Sequence, residues 1–283
     1  MREGENRLER APRLSFLAKA ALTRARSGAW LLRGSARPPP EGIRILFYHR
    51  VSDDRDDLAV RPRRFREQME ALAAEGFRVV DVAEAAALLR RGETVGRTIA
   101  LSFDDGYLDV AEQALPVLER HGFRASVFLV TGALDGEVEF TWYRRRPPLL
   151  GWDDVLRLDG GSPLRFEAHT VTHPSLPGLG DERAREEIAG SKAALEARLG
   201  RTVEAFCYPA GLFGARDRRL AAEAGFAAAV TCEPGVNVPA TDPFALHRIP
   251  VERRDRLVDF RAKVGGAHDE ALPLRGLYRR LRY

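Results

Sequence analysis

From Ile43 onward, short runs of apolar, β-branched and aromatic residues alternate with longer Ala-, Leu-, Arg- and Glu-rich segments of helical period, and no other feature narrows the fold so far. Residues 43–49, 77–81, 98–103, 125–131, 164–168, 205–208, 227–231 and 248–251 read as strands. Between and after them, 62–75, 82–91, 108–121, 152–158, 181–199, 215–224 and 257–264 read as helices. Several of these helices run into a glycine, as at Glu75-Gly76, His121-Gly122, Leu199-Gly200 and Ala224-Gly225, where the chain can turn left-handed and stop the helix. Repeated βα units imply a largely parallel sheet, and seven or eight strands in one domain favour closure. The expected fold is α/β, a distorted (β/α)7–8 barrel in a single domain.

Ahead of this pattern, residues 1–40 form a basic leader ending in Arg37-Pro38-Pro39-Pro40, a stiff boundary. They carry nine basic and three acidic residues, net +6, against +4 for the whole chain, so the remainder carries −2. The body is not a basic particle, and only three of the 45 basic residues are lysine, a bias that does not point to a nucleic-acid partner. The leader reads as loosely ordered or as an amphipathic helix lying on a membrane surface or a partner. Its apolar patches are broken by Lys19, Arg24 and Arg26, so neither a membrane span nor a standard signal peptide is expected. That places the protein in the cytoplasm or on the cytoplasmic face of a membrane, with export as the alternative. Residues 41–252 are the expected catalytic domain, and 253–283 a basic extension packed on the barrel or trailing from it. Cys207 and Cys232 have neither zinc-knot spacing nor disulfide-scaffold density.

In a parallel barrel the reactive groups collect where strands end and loops begin. Polar residues stand at those places: Asp104-Asp105-Gly106 after 98–103, His169 after 164–168, His49 after 43–48, and Pro209-Ala210-Gly211 after 205–208. His169-Thr170-Val171-Thr172-His173 sets two imidazoles four residues apart, and the β-branched residues with Pro174 favour a strand-to-loop clamp over a helix. Alone, that spacing also suits an ordinary loop, and Asp-Asp-Gly alone also suits a turn or helix cap. Together, two histidines and one carboxylate make a metal set with an open position, while a second carboxylate stays free to accept a proton.

On these residues the chain resembles the polysaccharide deacetylase family (the NodB-homology domain, carbohydrate esterase family 4) over about residues 43–251. Ser102-Phe103-Asp104-Asp105-Gly106 is similar to the family's T-F-D-D-G, and His169-Thr-Val-Thr-His173 to its H-[ST]-x-x-H. The resemblance implies a barrel of the NodB-homology type. It also implies that Asp105, His169 and His173 hold one divalent ion, Zn²⁺ or else Co²⁺, Ni²⁺ or Mn²⁺, and that Asp104 is the catalytic base. The implied activity is hydrolysis of carbon–nitrogen bonds other than peptide bonds, removing N-acetyl groups from N-acetylated sugars of a polysaccharide or its precursor.

Two segments depart from the family pattern. Phe206-Cys207-Tyr208-Pro209-Ala210-Gly211 stands where many members have R-P-P-Y-G, so the arginine that braces the aspartate is missing at Cys207. The segment is closer to the F-x-Y-P-x-G form of the branch that includes exopolysaccharide and poly-N-acetylglucosamine deacetylases. Leu246-His247-Arg248 replaces L-x-H, which displaces the usual general-acid histidine. Arg248 is expected to pair with Asp104 instead, and Tyr48-His49-Arg50-Val51, similar to that branch's Y-H-x-V, offers His49 as the acid in place of His247. A backbone N–H near Tyr208 and Pro209 is expected at the oxyanion, and Trp142, with Tyr143 and Trp152, to stack on sugar faces. The segment Val130-Thr131-Gly132 also resembles the family and is expected to border the groove. The rival functions are an amidase or deformylase acting on a small molecule or lipid-linked sugar, and an inactive glycan-binding member.

Overall fold

A computed structural model describes residues 13–32, 41–93, 96–143 and 146–269. The expected leader and the 253–283 extension therefore fall partly outside the described residues. Ten strands form among the described residues: β1 Arg44–Tyr48, β2 Arg50–Val51, β3 Ala59–Val60, β4 Arg78–Val80, β5 Thr98–Asp104, β6 Ala125–Leu129, β7 Leu164–Ala168, β8 Ala205–Cys207, β9 Ala228–Val230 and β10 Arg248–Pro250. The helices are α1 Arg13–Leu32, α2 Pro62–Ala74, α3 Val82–Arg90, α4 Leu115–His121, α5 Thr131–Leu134, α6 Trp152–Leu158, α7 Asp181–Leu199, α8 Ala215–Glu223 and α9 Leu257–Val264.

All ladders between these strands are parallel, as βα connections require. Seven strands follow one another in the order β10, β1, β5, β6, β7, β8, β9, and a parallel bridge from Val230 to Leu246 brings β9 back toward β10. The result is a nearly closed barrel in one domain, as the alternating pattern led us to expect. β4 pairs with the first half of β5 on the edge that β6 takes over further along, so it is a partial eighth strand. The join of β7 to β8 is thin, a single register pair between Ala168 and Phe206. There the Glu167 carboxylate accepts the N–H groups of Glu204 and Ala205, both at 2.8 Å, replacing missing ladder bonds.

Outward side chains such as Leu46, Leu101, Val127 and Phe166 join helix residues Phe65, Leu72, Val155 and Ile188 in the main core. A second cluster joins Ile45, Ala100, Phe128 and Val230 to Val82, Ala85 and Leu88 of α3. Val82 N–H donates to Ser126 Oγ (3.0 Å), fixing the start of α3 to β6.

One helical expectation is refined. The run 108–121 is helical throughout, but residues 110–114 form a wide π-turn within it and α4 resumes the ordinary winding at Leu115. Pro116 is the reason, since it has no N–H to give back to the preceding turn and its ring crowds a carbonyl there. Within the leader, Arg13–Leu32 is helical and packs on α9. Its buried positions Ala20, Thr23 and Ser27, with Trp30 donating from Nε1 to the Gly265 carbonyl (3.2 Å), follow a helical stripe. Small and hydroxyl side chains on that stripe hide it from a hydrophobic pattern. No helix among the described residues is long and apolar enough to cross a membrane.

Candidate active site

The carboxyl ends of β5, β7 and β8 converge. β5 runs into Asp104 and Asp105, and Asp105 turns left-handed (φ 74°), followed by Gly106 (φ 75°). A Cβ on Gly106 would stand 2.7 Å from Leu129 Cδ2, so the third residue of Asp-Asp-Gly is fixed by backbone freedom and by space. After β7, Thr170 (φ 68°) and His173 (φ 59°) are also left-handed, and Ala210 (φ 56°) after β8 completes the set of positive-φ non-glycine residues among those described. Such conformations cost about 1–3 kcal/mol each and persist where the surroundings over-determine them. All four lie on the three loops that shape this place.

Asp105 Oδ1 lies 3.4 Å from His169 Nε2 and 3.6 Å from His173 Nε2. His169 Nδ1 is 2.7 Å from the Cys207 carbonyl, so Nδ1–H donates there and Nε2 presents its lone pair inward. Asp105 Oδ2 accepts from the Tyr107 hydroxyl (3.2 Å), whereas Oδ1 is buried with no hydrogen-bond partner. Burial acts to raise the Asp105 carboxyl, but His169 and His173 outweigh it and hold the group below the usual carboxylate range. Burial pushes His173 down to about 4, so it is neutral near neutral pH. An orphaned anionic oxygen facing two imidazole nitrogens is a donor set for a divalent cation with an open coordination position.

Beside it, Arg248 donates to both Asp104 oxygens, at 2.6 and 2.8 Å, in a bidentate fork. Burial works against ionisation of Asp104, yet the Arg248 charge wins and keeps its carboxyl below the ordinary value. Strand alternation turns Arg248 into the barrel, where Nε donates to the Thr231 carbonyl (2.7 Å) and the fork also reaches Ser102 Oγ and Cys207 Sγ (3.0 Å). Phe47 lies 4.3 Å beneath its plane. The arginine absent at position 207 thus has a substitute from β10, and the cysteine leaves room for it.

His49, at the end of β1, is close enough to Asp104, Asp105 and His173 for its charge to bias all three. His247 faces the other way: its ring rests on Gly235 and its backbone is tied to the Asn237 side chain (2.8 and 2.9 Å). Trp142 stacks on Phe140 (4.5 Å) and its ring lies 5.2 Å from His173, placing an aromatic face at the rim. Tyr143 is held by its hydroxyl to Asp56 Oδ2 (3.0 Å).

Three expectations fail here. The Tyr208 N–H is directed to the Val230 carbonyl (3.3 Å) and its hydroxyl to the Phe244 carbonyl (3.0 Å), so neither is aimed at a reacting group. Pro209 is buried and has no N–H to offer. Trp152 lies in the core, with Arg198 4.8 Å over its ring, and anchors α6. The segment Val130-Thr131-Gly132 has a clearer place: Thr131 and Gly132 N–H groups donate to the carbonyls of Thr170 (3.1 Å) and Val171 (2.9 Å), bracing the histidine loop. Tyr107 was missed, although it follows the Asp-Asp-Gly motif directly, because a tyrosine after a turn reads as core.

Residues 91–229 match the polysaccharide deacetylase family. The chain is 26% identical over 213 residues to YxkH of Bacillus subtilis (strain 168), a protein provisionally named a polysaccharide deacetylase, covering 75% of this chain and 72% of that one. Its fold is shared with IcaB from Ammonifex degensii (TM-score 0.70, 24% identity, 81% of this chain and 99% of that one). It is shared as well with the Streptococcus pyogenes deacetylase PplD in complex with acetate (TM-score 0.67, 24% identity, 76% and 94%). The family match spans the strands that carry both aspartates and both histidines, so residues 91–229 are those of a polysaccharide deacetylase domain, within a barrel of the NodB-homology type.

Proposed function

We propose that this protein is a divalent-metal-dependent hydrolase that removes N-acetyl groups from amino sugars of a polysaccharide or its precursor. The observation that carries this reading is the unpartnered Asp105 Oδ1 facing Nε2 of both His169 and His173, with an Arg248-paired Asp104 alongside. Asp105, His169 and His173 would hold the ion, with Zn²⁺ the first choice and Co²⁺, Ni²⁺ or Mn²⁺ as alternatives. When bound, the ion supplies Lewis-acid polarisation of the acetyl carbonyl and of the attacking water.

Asp104, kept ionised by Arg248, takes a proton from the water as its oxygen adds to the acetyl carbon. Arg248 neutralises and orients that carboxylate without touching the substrate. His49 gives a proton to the sugar nitrogen as the carbon–nitrogen bond breaks, releasing acetate and a free amino sugar. Trp142, stacked on Phe140 beside His173, offers a flat face against which a pyranose ring packs. The Phe206-Cys207-Tyr208-Pro209 segment and the placement of His49 favour an exopolysaccharide of the poly-N-acetylglucosamine type.

The test is acetate release from chitooligosaccharides, poly-N-acetylglucosamine and N-acetylated glycolipids, with bound metal measured in parallel. Asp104→Asn should retain metal and lose about 10²-fold or more in turnover. His169→Ala should lose both. An Asp104→Asn protein with full metal occupancy and the parent rate would overturn the base assignment. Release from glycolipids alone would move the substrate to a lipid-linked sugar.

A further inference from the structure

The histidine loop has a buried anchor that lies outside both motifs. Glu187, in the second turn of α7, is 1% exposed. Its Oε2 accepts the successive N–H groups of Val171 (2.9 Å) and Thr172 (2.8 Å), and its Oε1 accepts the Thr172 hydroxyl (2.6 Å). Arg183, one turn earlier, supplies the opposite charge to Oε1 at 2.8 Å. These N–H groups lie between the two left-handed residues of the loop, Thr170 and His173. The opposite side is gripped by Thr131 and Gly132, which donate to the carbonyls of Thr170 and Val171. Inside the loop, Thr170 Oγ1 accepts the His173 N–H (3.0 Å).

A β-branched residue in the left-handed region is held there only by its surroundings. Without an acceptor for these two half-buried N–H groups, the strained turn relaxes, and His173 moves with it because only Thr172 separates it from Val171. We infer that Glu187 is a positioning residue for the metal site: it fixes the 169–173 loop so that the His173 imidazole faces Asp105 before any ion arrives. The inference rests on the metal site proposed above. Outer groups that orient ligands typically govern about 10–100-fold in metal affinity.

The experiment is Co²⁺ titration of the metal-free full-length protein, following the visible absorption of the bound ion, on the parent, Glu187→Leu, Glu187→Gln, the remote α7 variant Arg185→Ala and His169→Ala. Glu187→Leu should bind Co²⁺ about 10–100-fold more weakly and show an altered band. Glu187→Gln keeps an acceptor for both N–H groups and should bind close to the parent, as should Arg185→Ala. If Glu187→Leu does not fold, Glu187→Asp replaces it; drawing the carboxylate back by one methylene should still weaken binding by about tenfold. A folded Leu or Asp variant with the parent's affinity and spectrum overturns the inference while leaving the metal site standing. A parent that binds no stoichiometric Co²⁺, or a His169→Ala protein that binds as tightly as the parent, overturns the metal site and this inference with it.

Discussion

Withdrawing a guanidinium and a carboxylate from water costs several kcal/mol for each ion, and breaking such a pair costs about 3–5 kcal/mol. Arg248, fully buried, meets that cost with neighbours that include Asp104, Ser102, Cys207, the Thr231 carbonyl and the Phe47 ring. Arg248→Lys keeps the charge but loses the planar fork, so it should fold and lower kcat by about tenfold or more with little change in KM. A Lys variant with parental kcat would remove Arg248 from the positioning of Asp104. The two histidines separate as cleanly. His49→Ala should cost about 10²-fold in turnover, whereas His247→Ala, whose ring rests on Gly235, should stay near the parent. Equal effects of the two substitutions would undo the acid assignment. Both aspartates and both motif histidines were legible in the sequence, because their spacing sits at strand ends. Tyr208 was misread, because which way an N–H points depends on the neighbouring strand and not on the motif.

Among the elements, α1 is held to α9 and to the turn beyond it in part by polar contacts, Arg26 with His268 and Trp30 with the Gly265 carbonyl. His268 is buried there, with Nδ1 facing Arg26 of α1 (3.4 Å) and with Lys263 and Asp259 of α9 nearby. Burial, reinforced by Lys263 and Arg26, holds the imidazole down to about 2. The unfolded chain binds a proton at His268 below its ordinary pKa of about 6.5 while the folded chain does not, so stability present above that value is lost as pH falls. At about pH 5.5, one unit below, the loss is about 1.4 kcal/mol. Melting the parent and His268→Gln from about pH 7.5 to about pH 5.5 should show an extra destabilisation in the parent; parallel curves would contradict it. The same polar character explains why docking of α1 escaped the sequence pattern. The π-turn that leads into α4, in contrast, was written there in Pro116.

For the molecule as a whole, the candidate metal site joins the ends of β5 and β7, two strands that are distant in sequence, so an ion that binds only the folded chain stabilises all of it. At about 100 times its dissociation constant, an ion should add about 2.7 kcal/mol, raising Tm by about 5–10 °C, reversed by chelator. No shift with Zn²⁺, Co²⁺, Ni²⁺ or Mn²⁺ would contradict the site. The sequence by itself determined the βα alternation, the glycine stops and the two motifs, because these are set by periodicity and by neighbours a few residues away. Only the tertiary structure decided that Arg248, which the motifs had already offered to Asp104, reaches it through the space left at Cys207, that Tyr208 turns from the site and that Glu187 grips the histidine loop. Each of these depends on which strand or helix lies next to which once the sheet curls on itself, and a register between segments tens of residues apart leaves no local period to read.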